Sequence, residues 1–338
     1  MPVITAVNRA GETTFGWQQN RGNVMLKKLT LATAGAALLV SGGAFAKDDW
    51  FPSKHGKDDQ AGQSNLMTPD RVKKAMTFIK QGKTISLART YSDKMPLFGH
   101  RVFAVRGTNG LAGGPLGANN VTWMDDTVTA EIGQVGTQFD GLGHIGIGNK
   151  FYNGIDGKDV FGATGMKKLG IEHIKPFFTK GVLIDMVQYK GAPMDGGQEI
   201  SVEDIVGALK KQGMSADNIG EGDVVMFHTG WVRHWIKDNK TYNGSVPGIG
   251  IKAGQWLAAK GVVIVGSDTW PVEVVPNPDK NQAFPVHQIL LTRNGIFIHE
   301  NAATERLAEA KVYEFAYIFN PLAVQGGTGS PGNALAVY

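Results

Sequence analysis

The sequence predicts one α/β domain with a mixed sheet and flanking helices, on three observations. Helix and strand patterns alternate through the second half of the chain. The first half is richer in short strands broken by glycine pairs. No repeat, low-complexity linker or sharp composition shift divides the two. Of the 338 residues, 42% are apolar and 19% charged, the balance of a globular protein with a sizeable core. Its 46 glycines predict many tight turns.

Taken in order, residues 1–24 show neither an apolar run nor a period and read as an over-long start. A secretory signal peptide follows over 25–46: Met25-Leu26-Lys27-Lys28 is basic, Leu29 to Val40 is apolar, and Ala44-Phe45-Ala46 has the small-x-small form of a cleavage site. The apolar run is too short to span a bilayer comfortably. The expectation is a periplasmic protein with no membrane attachment after cleavage. Residues 47–338 then form a single domain.

Within that domain, Lys47 to Ser64 reads as an extended arm. Thr68-Pro69-Asp70 opens a helix with a cap, a proline in the first turn and an acid beside it, and Gly82 ends it. Short strands run to about Gly148. Gly181 to Asp185 is a buried-strand pattern. Ser201 to Gln212 is a helix, with Ser201 and Asp204 spaced as a capping box. Strand Asp223–His228, helix Ile251–Lys260 and strand Val262–Gly266 come next. Helix Val286–Thr292, strand Ile296–Ile298, helix Ala302–Ala310 and strand Tyr313–Phe319 complete the chain.

Charge and cysteine content exclude several functions. The segment 1–46 holds Arg9, Arg21, Lys27 and Lys28 against Glu12, so the remainder keeps 30 basic and 29 acidic residues and a net charge of +1. No basic block tracks a nucleic-acid backbone. The chain has no cysteine, which excludes thiol nucleophiles and Cys-bound metals.

Two clusters can carry chemistry. In Gln134-Val-Gly136-Thr137-Gln138-Phe-Asp140-Gly-Leu-Gly-His144, the residues Gln134, Gln138, Asp140 and His144 are separated by even numbers. On an extended segment they share one face and form a polar pocket floor. A satisfied hydrogen-bond network under a loop explains the spacing equally well. The second cluster is His287 with His299-Glu300-Asn301. His287 lies in an apolar stretch where a core histidine is the ordinary outcome. Glu300 stands at a strand-to-helix junction, where α/β proteins place ligands. Phe139, Phe151, Tyr152 and Trp270 flank the clusters, and Phe139 and Trp270, with Gln134 and Gln138, are expected to touch substrate. Other features are discounted. Gly327 to Gly332 matches G-x-G-x-x-G with no helix after it and reads as a turn at Gly329-Ser330-Pro331. His228 ends a strand, and His234 lies on the surface. No G-x-S-x-G elbow is present.

These residues resemble the cyclase family that includes kynurenine formamidase and isatin hydrolase. Its hallmark, H-x-G-T-H-x-D-x-P-x-H, is similar to Gln134–His144 in register at Gly136, Thr137, Asp140 and His144. A later His followed by Glu resembles His287 and Glu300. Further similarity appears in 181–185, 222–225, 229–231, 266–269 and 329–331. The resemblance implies a swivelling β/β/α fold, a homo-oligomer (dimer or tetramer), and hydrolysis of a small amide, lactam or related carbonyl compound. In metal-dependent members the two His and the Asp of the hallmark bind zinc or manganese, and the later His and Glu assist proton transfer and hold a second ion.

The chain departs from that hallmark at both metal-binding histidines, which are Gln134 and Gln138 here, and Leu142 replaces the proline. Metal at Gln134, Gln138 and Asp140 is therefore weak, since neutral amide oxygen is a poor ligand for zinc or manganese. The cofactor expectation is none or one divalent metal, zinc or manganese, with a second possibility among Asp140, His144, His287 and Glu300. For catalysis, His144 or His287 is the base, Asp140 orients it, Glu300 is the partner acid, and Gln134 and Gln138 donate to an oxyanion. Two alternatives stand beside hydrolysis: a metal-independent lyase, dehydratase or isomerase, and a periplasmic binding protein with no turnover.

Overall fold

The computed structural model describes residues 50–107 and 113–338. The expected start and signal segments, 1–46, lie outside the described residues.

Among the described residues, nine strands form one mixed sheet. Its centre is a parallel run in which β7 (Phe177–Asp185), β9 (Val224–His228), β11 (Ile264–Ser267) and β12 (Phe297–Glu300) lie side by side. These strands are buried along almost their whole length and carry the apolar runs 182–184, 224–227, 262–265 and 296–298, as a parallel sheet covered on both faces requires. Antiparallel strands extend both edges. On one side lie β13 (Glu314–Phe319), β15 (Leu335–Val337) and β1 (Thr84–Ser86). On the other lie β6 (Gln138–Asp140) and β14 (Gly329–Pro331). The segment Gly329–Pro331, expected as a turn, is an edge strand instead. Its proline is tolerable there because an edge has no further neighbour to receive its missing N–H.

The helices follow their caps. Helix Pro69–Met76 begins at Thr68, whose hydroxyl accepts from the Arg71 amide. Helix Val202–Lys211 carries the Ser201–Asp204 capping box, with Ser201 Oγ accepting from the Asp204 amide and Asp204 Oδ2 from the Ser201 amide, both at 3.1 Å. Helix Ile251–Ala259 feeds β11 as expected. The expected helix Val286–Thr292 is one α turn, Pro285–His287, that widens into a π-helical stretch over Gln288–Arg293. Such widening recurs at functional sites. The expected helix Ala302–Ala310 shortens to Glu305–Glu309.

The short-strand region resolves into two-stranded hairpins. β2 (Phe103–Gly107) pairs with β5 (Asp126–Ala130), and β3 (Gly113–Leu116) pairs with β4 (Val121–Trp123). Two-residue strands β8 (Glu199–Ile200) and β10 (Gly248–Ile249) pair in parallel apart from the main sheet. Among the described residues, no helix is long and apolar enough to cross a membrane.

Candidate functional site

The site forms where β6 lies antiparallel to β12. Their register sets Asp140 opposite Ile298, Phe139 opposite His299, and Gln138 opposite Glu300. Alternation then sends Gln138, Asp140 and Glu300 to one face and Phe139 and His299 to the other. The expectation that four even-spaced residues share one extended face holds for Gln138 and Asp140 only. Gln134 reaches the same face from a turn, Gln134 N donating to Glu131 O. His144 reaches it from the turn after β6, its amide donating to Gly141 O.

Loop 133–137 is pinned against the end of β12. Asn301, with φ of +54°, donates from its side chain to Gly136 O at 2.7 Å, and Thr137 Oγ1 donates to Asn301 O. Gly136 has φ of +61°, and a Cβ there would stand 2.7 Å from the Tyr91 ring, so only glycine fits this turn.

His287 arrives from a different element. Its α turn starts at Phe284, which is in the left-handed region, and the first free N–H groups of the turn are taken by Glu273. Glu273 Oε2 accepts from the Val286 amide at 3.1 Å; Oε1 accepts from the His287 amide at 2.9 Å and from His287 Nδ1 at 2.5 Å. With Nδ1–H committed, Nε2 faces the two carboxylates. It lies 3.2 Å from Glu300 Oε1 and 3.7 Å from Asp140 Oδ2. Two pairs separated by well over a hundred residues thus meet in one place. Sequence reasoning missed Glu273. A lone Glu after Pro271-Val272 carries no spacing signal, and its role emerges only once the turn at 285 docks on it.

The amides act on the carboxylates. Gln138 Nε2 donates to Glu300 Oε2 at 2.7 Å, and Gln134 Nε2 donates to Asp140 Oδ1 at 3.1 Å. Arg101 donates to Gln134 Oε1 at 3.3 Å, which fixes that amide's direction. This corrects two expectations for the glutamines. Gln134 has both ends engaged, so it has no lone pair to give an ion, and the N–H groups of both amides serve carboxylates rather than an oxyanion.

The remaining donor set does fit a divalent ion. Ligand atoms of Asp140, His287 and Glu300 lie within 4.8 Å of one another, and Asp140 Oδ2 is buried with no hydrogen-bond partner. One imidazole and two carboxylates suit zinc or manganese. His144 stands outside that set, on the cavity wall.

Charge is distributed unevenly among the titratable groups. Burial opposes charging His287, but hydrogen bonds to Glu273 and Glu300 and their negative charge outweigh it and lift its pKa to about 10. Burial and the neighbouring Asp140 raise Glu300 to about 8, against the pull of His287 and Arg101. Burial lowers His144, only partly offset by Asp140, so its imidazole is neutral at neutral pH. His299, on the opposite face, falls to about 4 through burial. It lies between Tyr317 Oη and Gly332 O, both at 3.0 Å, as a core histidine.

These groups open onto a cavity of about 140 Å³. Its polar side is Gln138, His144, His287, Glu300 and Arg101, and its apolar side is Phe98, Ile145, Trp270 and Phe284. Phe98 stacks on Trp270 with ring centres 4.4 Å apart, and Phe284 stands edge-on to both Trp270 and His287. Of the residues expected to touch substrate, Trp270 lines the cavity. Phe139 does not: it is fully buried on the far face, packed against Phe177, Phe297 and Phe319. Phe151 and Tyr152 also pack in the core. Arg101 and Phe98 were not foreseen, because they lie on an irregular segment with no periodicity.

An α/β protein with a mixed sheet, a histidine held by three buried carboxylates and a small aromatic cavity is the class that fold and site define. Residues 85–274 match the family described as "Putative cyclase", and the chain belongs to it. A crystal structure described as a novel cyclase is 31% identical, with a TM-score of 0.75 over 84% of this chain and 96% of that one. Isatin hydrolase A from Ralstonia solanacearum is 21% identical, with a TM-score of 0.58 over 80% of this chain and 98% of that one. Isatin hydrolase A from Labrenzia aggregata, bound to benzyl benzoate, is 22% identical, with a TM-score of 0.55 over 75% and 93%. The latter two likenesses establish the fold. No curated protein matches the chain.

Proposed function

We propose that this chain is a hydrolase of a small amide, lactam or related cyclic carbonyl compound. The observation that carries the proposal is one cavity holding a neutral imidazole, His144, beside a carboxyl, Glu300, raised to about 8. Hydrolysis needs a base to take a proton from water and an acid to return one to the leaving nitrogen, and groups with separated pKa values divide those roles. His144 takes the water proton. Glu300, protonated below about pH 8, gives a proton to nitrogen. Asp140 Oδ2, buried and unpartnered, accepts the N–H of a bound amide. Gln134 and Gln138 hold the two carboxylates in place. Where a divalent ion is bound instead, Asp140, His287 and Glu300 would hold it, giving up the N–H-accepting and acid roles, and the ion would supply a Lewis acid for the carbonyl.

The cavity is near the size of one that admits a benzene ring, roughly 150 Å³, so one small ring beside the reacting group fills it. The isatin hydrolases that share the fold are named for such a compound. Within the same proposal, the chain is exported to the periplasm after cleavage behind residue 46 and works as a homo-oligomer. N-terminal sequencing of the secreted protein tests the first point and light scattering the second.

The test is a panel of formanilides, lactams including isatin, and lactones, assayed with purified protein whose metal content is measured alongside. Turnover of at least one member is expected. His144→Ala should lower it by about 10²–10⁴-fold. It should also fall as pH rises through about 8, when Glu300 loses its proton. A wild-type protein that turns over nothing on the panel removes the proposal.

A further inference from the structure

We propose that Arg101 is a further catalytic residue, holding the substrate's carbonyl oxygen as negative charge develops on it. The inference rests on the hydrolytic reading above and deepens it. Attack on an amide drives the carbonyl π electrons onto oxygen, so a donor must already stand where that oxygen lies. Gln138 spends its N–H groups on Glu300 and Gln134, and Gln134, which donates to Asp140, does not line the cavity.

Arg101 has donors to spare. Among the described residues its hydrogen-bond partner is Gln134 Oε1, at 3.3 Å, and its guanidinium carbon rests 5.8 Å from the centre of the Phe98 ring. Among the described residues it forms no ion pair, although Glu300 lines the same cavity. Gln134 explains why. The amide stands between guanidinium and Asp140, accepting from the first and donating to the second. A guanidinium carries five N–H groups in a planar fork, so most remain for a ligand oxygen. On the same wall, the buried indole N–H of Trp270 also has no partner.

In the step itself, the water oxygen bonds to the carbonyl carbon while one of its protons passes to His144. The π pair moves onto the carbonyl oxygen, facing Arg101. The pair then returns, the C–N bond breaks, and nitrogen leaves with a proton from Glu300. The acid product passes its remaining proton to the Glu300 carboxylate and His144 releases its proton to solvent, so both groups are restored and the product carboxylate keeps an oxygen opposite Arg101.

Two readouts test this on the full chain. Arg101→Ala should lower kcat/KM about 10²–10³-fold, chiefly through kcat, and added guanidinium ion should restore part of the rate. Arg101→Lys, which keeps the charge without the fork, covers the case in which the alanine variant fails to fold, and should fall between it and the wild type. Arg106→Ala, on the exposed hairpin β2–β5, should change nothing. Calorimetric binding of benzoate, a probe for the product carboxylate, should be lost in Arg101→Ala. An unchanged rate, or no rescue by guanidinium, overturns the assignment. If the wild type hydrolyses nothing, the hydrolytic reading fails by itself. Benzoate still decides then: binding lost with Arg101 supports an oxyanion clamp, and binding retained without it overturns one.

Discussion

The two faces of the β6–β12 pair carry opposite chemistry from neighbouring residues. One face presents Gln138, Asp140 and Glu300 to His287. The other sets Phe139 and His299 in an aromatic layer with Phe297 and Phe319. Both histidines are buried, yet His287 is raised to about 10 and His299 lowered to about 4. Burial lowers both. The difference is that Glu273 and Glu300 face one ring, while a phenol and a peptide carbonyl face the other. A histidine's charge here is set by its partners, and the strand register decides which partners it meets.

The largest expected effects come from adjacent residues on those two faces. Asp140→Asn should leave the fold intact and lower turnover by about 10²–10⁴-fold, because it removes the charge of a buried carboxylate beside His287 and Glu300. Phe139→Ala should do the reverse, costing about 3–5 kcal/mol of stability while the folded fraction keeps its kcat. Urea unfolding and initial rates on both variants check the contrast. If Phe139→Ala lowers kcat at full folding, the two faces are not independent.

The sequence showed one face better than the other. Asp140, His144, His287 and Glu300 were legible as candidates because titratable groups are scarce in apolar stretches and their spacing resembles a family hallmark. Phe139 was misplaced because a strand of three residues gives too little alternation to assign its faces. The convergence of 140 with 300 was an inference from resemblance; only the antiparallel pairing of β6 on β12 supplies the contact. Arg101, Phe98 and Glu273 carried no signal at all. Their roles depend on where irregular segments dock, and propensity and period say nothing about docking. The parallel centre was legible because strands buried on both faces are written as continuous apolar runs.

A smaller effect separates the histidines by pH. His299 titrates near 6.5 when unfolded and near 4 when folded. Between those values the unfolded chain binds the proton and the folded chain does not, so stability present above 6.5 is lost as pH falls toward 4, by about 3 kcal/mol at most. His287 has the opposite sign: its contribution is complete below 6.5 and fades as pH rises through about 10. His299→Leu should therefore flatten the acid limb of a stability profile and leave the alkaline limb alone. Urea midpoints measured across both limbs decide the matter, and an acid limb as steep as the wild type's would assign that loss to other groups.

The smallest effect comes from moving one histidine's surroundings toward the other's. In Glu273→Gln the single amide oxygen can take the Oε1 place and accept from His287, while the bond from the Val286 N–H to Oε2 is lost, so the turn at 285 keeps only part of its cap. What leaves is one of the carboxylates that hold His287 charged and fix its ring. Loss of such an outer partner lowers activity about 10–100-fold. The imidazole ¹⁵N signals of His287 should move toward the neutral pattern of His299 at the same pH. Glu273→Asp, which keeps the charge at a shorter reach, should recover part of both. A full rate with shifted ¹⁵N signals would mean that the charge on His287 is incidental to turnover, leaving His144 and Glu300 as the pair that moves the protons.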